Sequence, residues 1–129
     1  MARVLVVDDA QLMCRILCAM LEKAGHEVVG VANSGQEALV LFEKKRPDIV
    51  TLDIQMADGD GLACLEDILK VDQGARVIMV TAMGRGPKEQ ESINKGAAAY
   101  VSKPFQAEQL YATIDEVLGG TKNTEDRSS

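Results

Sequence analysis

A single histidine, an odd set of three cysteines and no apolar run of membrane length bound what this 129-residue chain can be. Nothing approaches the roughly 20 consecutive apolar residues of a bilayer span, and the opening MARVLVV is too short for the apolar part of a signal peptide. A soluble cytoplasmic protein is expected. Cys14, Cys18 and Cys64 show no framework spacing, which fits a reducing compartment. Cys14 and Cys18, four apart, should share a helix edge, yet neither His26 nor a third thiol is near in sequence to complete a zinc set. They read as small core or boundary residues. Basic charge is scarce as well. Fourteen Lys and Arg against twenty Asp and Glu leave a formal charge of −6, which argues against a nucleic-acid surface built on clustered cations. The one basic run, Lys44-Lys45-Arg46, precedes Pro47 and reads as the last turn of a helix. No solenoid repeat is present.

What the chain does have, 47% hydrophobic and 26% charged residues, suits one domain with a real core, here residues 1–118. Short apolar runs alternate with segments of helical period. The strand candidates are Val4–Val7, Val28–Val31, Ile49–Leu52, Val77–Val80 and, weakest, Ala98–Val101. Leu12, Ile16, Leu17, Met20 and Leu21 trace the first helix, which Gly25 stops. Ser34-Gly35-Gln36-Glu37 reads as a capping box opening the second. The third carries Leu62, Leu65, Ile68 and Leu69; the fifth carries Leu110, Ile114, Val117 and Leu118 and should stop at Gly119-Gly120. The fourth, between Pro87 and Gly96, has Ile93 as its one strong apolar residue and should be held less firmly. The polar end, residues 119–129, is expected to be a disordered tail.

Strict alternation of strand and helix calls for an α/β fold, a parallel sheet covered on both faces. Every strand end but the second is followed by a chemically capable side chain: Asp8 and Asp9, Asp53, Thr81, and Lys103. In a parallel sheet these ends share one edge, where ligands bind. Three converging carboxylates need a counter-ion, and an all-oxygen site open to water suits Mg²⁺. With an ammonium nearby, such a site can receive a phosphoryl group. Asp53, alone at its strand end, suits the nucleophile, and the Asp8–Asp9 pair suits the metal. Singly, each residue could be an ordinary turn, cap or surface group.

The segments VLVVDD, DIQMADGDG from Asp53, VTA around Thr81 and YVSKPF with Tyr100, Lys103 and Pro104 resemble, in order and spacing, the receiver domain of two-component response regulators of the CheY-like, chemotaxis type. The resemblance covers about residues 1–118. It implies a (βα)₅ flavodoxin-like doubly wound parallel sheet of strand order 2-1-3-4-5. It implies phosphorylation of Asp53 by a partner histidine kinase, with Thr81 and Lys103 on the phosphoryl oxygens. It also implies Mg²⁺ on Asp9, Asp53 and the Gln55 backbone carbonyl, with Asp8 acting through water, and a cis Lys103–Pro104 peptide. The family's switch implies movement of Thr81 and of the TAMGRG loop, an inward turn of Tyr100, and a changed surface on the fourth helix, fifth strand and fifth helix.

Where the family commonly has proline and methionine after the acceptor, this chain has Ala57 and Gly59, so a more mobile loop is expected. Asp58-Gly59-Asp60-Gly61 is no EF-hand, because Leu62 and Ala63 fall where that loop needs a ligand and a glycine. His26 should be an exposed loop residue, so the phosphodonor must be another protein. An apolar Met83 should hinder water and prolong an acyl phosphate. TAMG and KPFQ point to a stand-alone chemotaxis regulator acting on the flagellar motor switch. The alternatives are a single-domain phosphorelay intermediate or a receiver cut from a transcriptional regulator. An Asp-nucleophile phosphatase would need two aspartates at i and i+2, whereas Asp8 and Asp9 are adjacent. Gly84-Arg85-Gly86-Pro87-Lys88 lacks P-loop spacing. The chain is therefore expected to be no enzyme toward an outside substrate, catalysing only its own phosphorylation and dephosphorylation.

Overall fold

Each apolar run forms a strand where the periodicity placed it, in a computed structural model that describes residues 1–57 and 59–128, with side chains through residue 119. The elements are β1 (Arg3–Val7), α1 (Gln11–Lys23), β2 (Glu27–Ala32), α2 (Gly35–Lys45), β3 (Ile49–Leu52), β4 (Gln55–Met56), β5 (Gly59–Asp60), α3 (Gly61–Val71), β6 (Val77–Thr81), α4 (Pro87–Asn94), β7 (Ala99–Ser102) and α5 (Ala107–Ser128). The main sheet is parallel, ordered β2-β1-β3-β6-β7, which is the expected 2-1-3-4-5 once the small β4–β5 pair is set aside. The fold is the flavodoxin-like, doubly wound α/β architecture.

Two apolar layers hold it. One face of the sheet packs Val4, Val6, Ile49, Ile78 and Val101 against Leu17 and Leu21 of α1 and Leu110 and Ile114 of α5. The other packs Leu5, Val50, Leu52 and Met79 against Phe42 of α2 and Leu65 and Ile68 of α3. Central strands buried on both faces carry mainly apolar residues on both sides, which is why these runs do not alternate; Thr51 is the buried polar exception in β3. Each fully buried Leu, Ile or Phe contributes about 1.5–3 kcal/mol. Among the described residues no helix is long and apolar enough to cross a membrane.

Local chemistry sets the helix ends. Ser34 Oγ accepts the Glu37 N–H at 3.1 Å, as a capping box requires, but Glu37 Oε1 reaches back to the Asn33 N–H at 2.8 Å instead of to Ser34. At the other end of α2, the Arg3 guanidinium donates to the carbonyls of Lys45 and Arg46 at 2.8 and 2.9 Å, so a cation does cap this C-terminus.

As expected, α4 buries little: Ile93 is 43% exposed, and the buried residue of that helix is Ser92, whose Oγ donates to the Lys88 carbonyl at 2.7 Å. Three expectations are corrected. His26 is half-buried, not a free loop residue, because its Nδ1 accepts the Ala2 N–H at 3.0 Å. The segment after Asp53 is not an open loop: Gln55 pairs with Asp60 and Met56 with Gly59 in a short antiparallel hairpin. Finally, α5 passes Gly119-Gly120, since glycine in a helix costs about 1 kcal/mol without removing a backbone donor. The side chains from residue 120 onward, on which the expected tail falls, lie outside the described residues.

Candidate functional site

β1 ends at Val7 and β3 at Leu52, and the two pair in register, so the aspartates that follow them stand side by side. One oxygen from each of Asp8, Asp9 and Asp53 lies within 4.8 Å of the others. Asp8 and Asp53 are buried and Asp9 is exposed, so the cluster opens to solvent on the Asp9 side. Lys103, just past β7, places Nζ 2.7 Å from Asp8 Oδ2 and 3.4 Å from Asp53 Oδ2. Its backbone N–H donates to the Thr81 carbonyl at 2.7 Å, which ties the ends of β6 and β7 together, and the Lys103–Pro104 peptide is cis. Thr81 is fully buried, and its Oγ1 accepts the Met83 N–H at 3.3 Å. It is not a helix cap, because Gly86 precedes α4 with φ 120°.

Burial pushes the Asp53 carboxyl above its ordinary range; the Lys103 ammonium and the Thr81 hydroxyl pull it back, and Asp8 adds to the rise. A cation placed among these carboxylates would offset the cost that burial and Asp8 put on the charged form of Asp53. Two oxygens on opposite sides of a Mg²⁺ ion stand about 4.2 Å apart. The spread of the three carboxylates and their hard-oxygen chemistry fit that ion.

Gln55 is exposed on β4, and its N–H donates to Asp53 Oδ1 at 3.3 Å. Tyr100 is 6% exposed, turned inward, and its hydroxyl donates to the Gly84 carbonyl in the β6–α4 loop at 2.6 Å. Burial raises its phenol above the usual range, with Glu89 adding to the rise. Burial likewise raises the thiols of Cys14 and Cys18, which line a cavity of about 300 Å³ between α1 and β2.

Sequence reasoning missed three supporting contacts. Ala57 donates its N–H to Asp9 Oδ2 at 2.6 Å, which the common proline could not do. Gly61 is required sterically: a Cβ there would lie 1.9 Å from the Asp53 carbonyl oxygen. Asn33 follows β2, the one strand end credited with no chemistry, and its side-chain amide donates to the Asp8 carbonyl at 2.9 Å. A small polar residue directly after a strand and before a capping box was the available signal.

Residues 4–115 match the response regulator receiver domain family. The chain is 39% identical to the chemotaxis protein CheY of Thermotoga maritima over 115 residues, 89% of this chain and 96% of that one. It is 41% identical to the protein CcdB of Bacillus subtilis over 119 residues, 92% and 99% of the two chains. Among solved structures it is similar to the CheX-CheY-BeF3-Mg²⁺ complex from Borrelia burgdorferi, at 32% identity and a TM-score of 0.87 over 90% of this chain and 88% of that one.

Proposed function

The chain belongs to the response regulator receiver domain family, and from that premise we propose that Asp53 accepts a phosphoryl group from the phosphohistidine of a partner histidine kinase. A carboxylate oxygen of Asp53 attacks phosphorus in line as the donor's phosphorus–nitrogen bond breaks, the electron pair staying on the imidazole, and a mixed anhydride results. Asp9, Asp53 and the Gln55 carbonyl would hold Mg²⁺, with Asp8 acting through water, and the ion would supply charge neutralisation at the phosphoryl oxygens. Lys103 already bridges Asp8 and Asp53 and can follow the negative charge onto a phosphoryl oxygen, while the Thr81 hydroxyl can turn to another. The convergence of three carboxylates, one ammonium and one hydroxyl at a single sheet edge carries this reading. His26 contacts Ala2 at the opposite end of the strands, so it is no donor.

The chain modifies itself and turns over no outside substrate. Met83, 36% exposed beside a cavity of about 320 Å³ that Gln55 also lines, is an apolar obstacle to water reaching the anhydride. Movement of Thr81 reaches the β6–α4 loop and Tyr100, and the face of α4, β7 and α5 passes it to a cytoplasmic target, the flagellar motor switch in a chemotaxis system. Similarity to CheY proteins supports that output.

Incubation with Mg²⁺ and acetyl phosphate, followed by intact mass, is expected to add one phosphoryl group to the wild type and none to Asp53→Asn. An unlabelled wild type, or continuing turnover of a phosphomonoester, refutes the proposal.

A further inference from the structure

Asp8 and Asp9 share a peptide plane, and the direction of that plane decides whether the two adjacent carboxylates face the same site. Successive side chains on an extended backbone point apart, and like charges repel, so the plane needs an external hold. The Asp8 N–H donates to the Ala32 carbonyl at 3.0 Å, which is ordinary sheet continuation. The Asp8 carbonyl has no strand partner. It is taken instead by two side chains from opposite neighbours: the Asn33 amide at 2.9 Å and the Cys14 thiol at 3.1 Å. The Asn33 backbone is in turn fixed by Glu37 of α2.

We infer that Asn33 and Cys14 are positioning residues for the acidic pair: together they fix the Asp8–Asp9 peptide plane and so set the affinity for Mg²⁺. This rests on the Mg²⁺ site proposed above. Neither residue touches the carboxylate oxygens of the cluster; they act on the backbone between them. Asn33 is exposed, so its removal opens no core cavity and affinity separates from stability. Cys14 is buried, and serine preserves its donor.

The test is Mg²⁺ titration by calorimetry on the full chain, with thermal melting in parallel. Asn33→Ala should bind Mg²⁺ about 3- to 10-fold more weakly, the worth of one lost hydrogen bond, with little change in melting temperature. Cys14→Ser should bind like the wild type and Cys14→Ala more weakly. In metal-free protein the Ala10 amide, which donates to Asp8 Oδ1 at 2.9 Å, should exchange about 3- to 10-fold faster in Asn33→Ala. Equal Mg²⁺ affinity in wild type and Asn33→Ala overturns the inference, whatever happens to stability, and so does unchanged Ala10 exchange. A wild type that binds no Mg²⁺ sinks the proposed function first and this inference with it.

Discussion

Two strand-to-helix connections meet at the site, one leaving Asp53 and one leaving Thr81, and they are built in different ways. The first is braced by hydrogen bonds on both sides of its turn. Gln55 and Met56 pair with Asp60 and Gly59, the Gly61 N–H donates to the Ile54 carbonyl at 2.6 Å, and Asp60 caps α3 through the Leu62 N–H at 2.8 Å. Five residues of the helix that follows are buried: Gly61, Leu62, Cys64, Leu65 and Ile68. The second runs through Gly84 and Gly86, at φ 77° and 120°, and hangs on the Tyr100 hydroxyl. Its helix buries Ser92 alone and relies on half-exposed ion pairs, Arg85–Glu89, Lys88–Glu91 and Lys95–Glu66, each worth about 0–1 kcal/mol. A phosphoryl acceptor of the proposed kind must be held still, and a reporting element must be free to move between two arrangements; the two connections are built as that division of duties requires.

The largest test of that contrast is Gly61→Ala. With a Cβ 1.9 Å from the Asp53 carbonyl, the brace must shift, and a loss of about 3 kcal/mol or more in denaturant stability is expected, with loss of Asp53 phosphorylation. A mild effect would show that the first connection yields as easily as the second. Next is a matched pair of truncations read by the same denaturation. Leu65→Ala, fully buried in α3, should cost about 2–5 kcal/mol, and Ile93→Ala, exposed in α4, under about 1 kcal/mol. Comparable losses would erase the distinction.

Tyr100→Phe removes the bond to Gly84 and should cost about 1 kcal/mol. It should also abolish an alkaline phenol titration lying above the ordinary tyrosine range, measured by ultraviolet absorbance. Smallest is the effect of Asp53 on stability without metal. Because burial raises its carboxyl, the folded state binds that proton more tightly than the unfolded chain. The gain to folding is complete below the ordinary carboxylate range and is lost as pH rises through the folded value. Asp53→Asn should therefore melt higher than the wild type at neutral pH in Mg²⁺-free buffer, the gap closing toward pH 4; a lower melting temperature would mean that Lys103 and Thr81 outweigh burial.

The sheet was legible in the sequence because its central strands are almost wholly apolar; Asp8, Asp9, Asp53, Thr81 and Lys103, at the ends of four of the five main strands, meet at the one edge where a parallel sheet puts them. What was not legible depends on contacts that no local pattern encodes. The sparse apolar pattern of α4 marks it as weakly held but carries no sign that its one buried residue is Ser92. Gly61 stood out only within a segment rejected as an EF-hand, whereas its absent side chain lets α3 start against the Asp53 carbonyl. His26 and Asn33 found partners 24 and 25 positions away in the chain, a separation beyond any helical or strand period.

The Ala57 N–H on Asp9 makes the two acidic segments parts of one fastening. Proline has no hydrogen to give at that atom. A hairpin transplanted from a relative with proline at this place would arrive without its clasp, and this chain's hairpin moved into such a relative would bring a donor that its host never had to seat. Chimeras cut between residues 9 and 57 should therefore not behave as interchangeable parts.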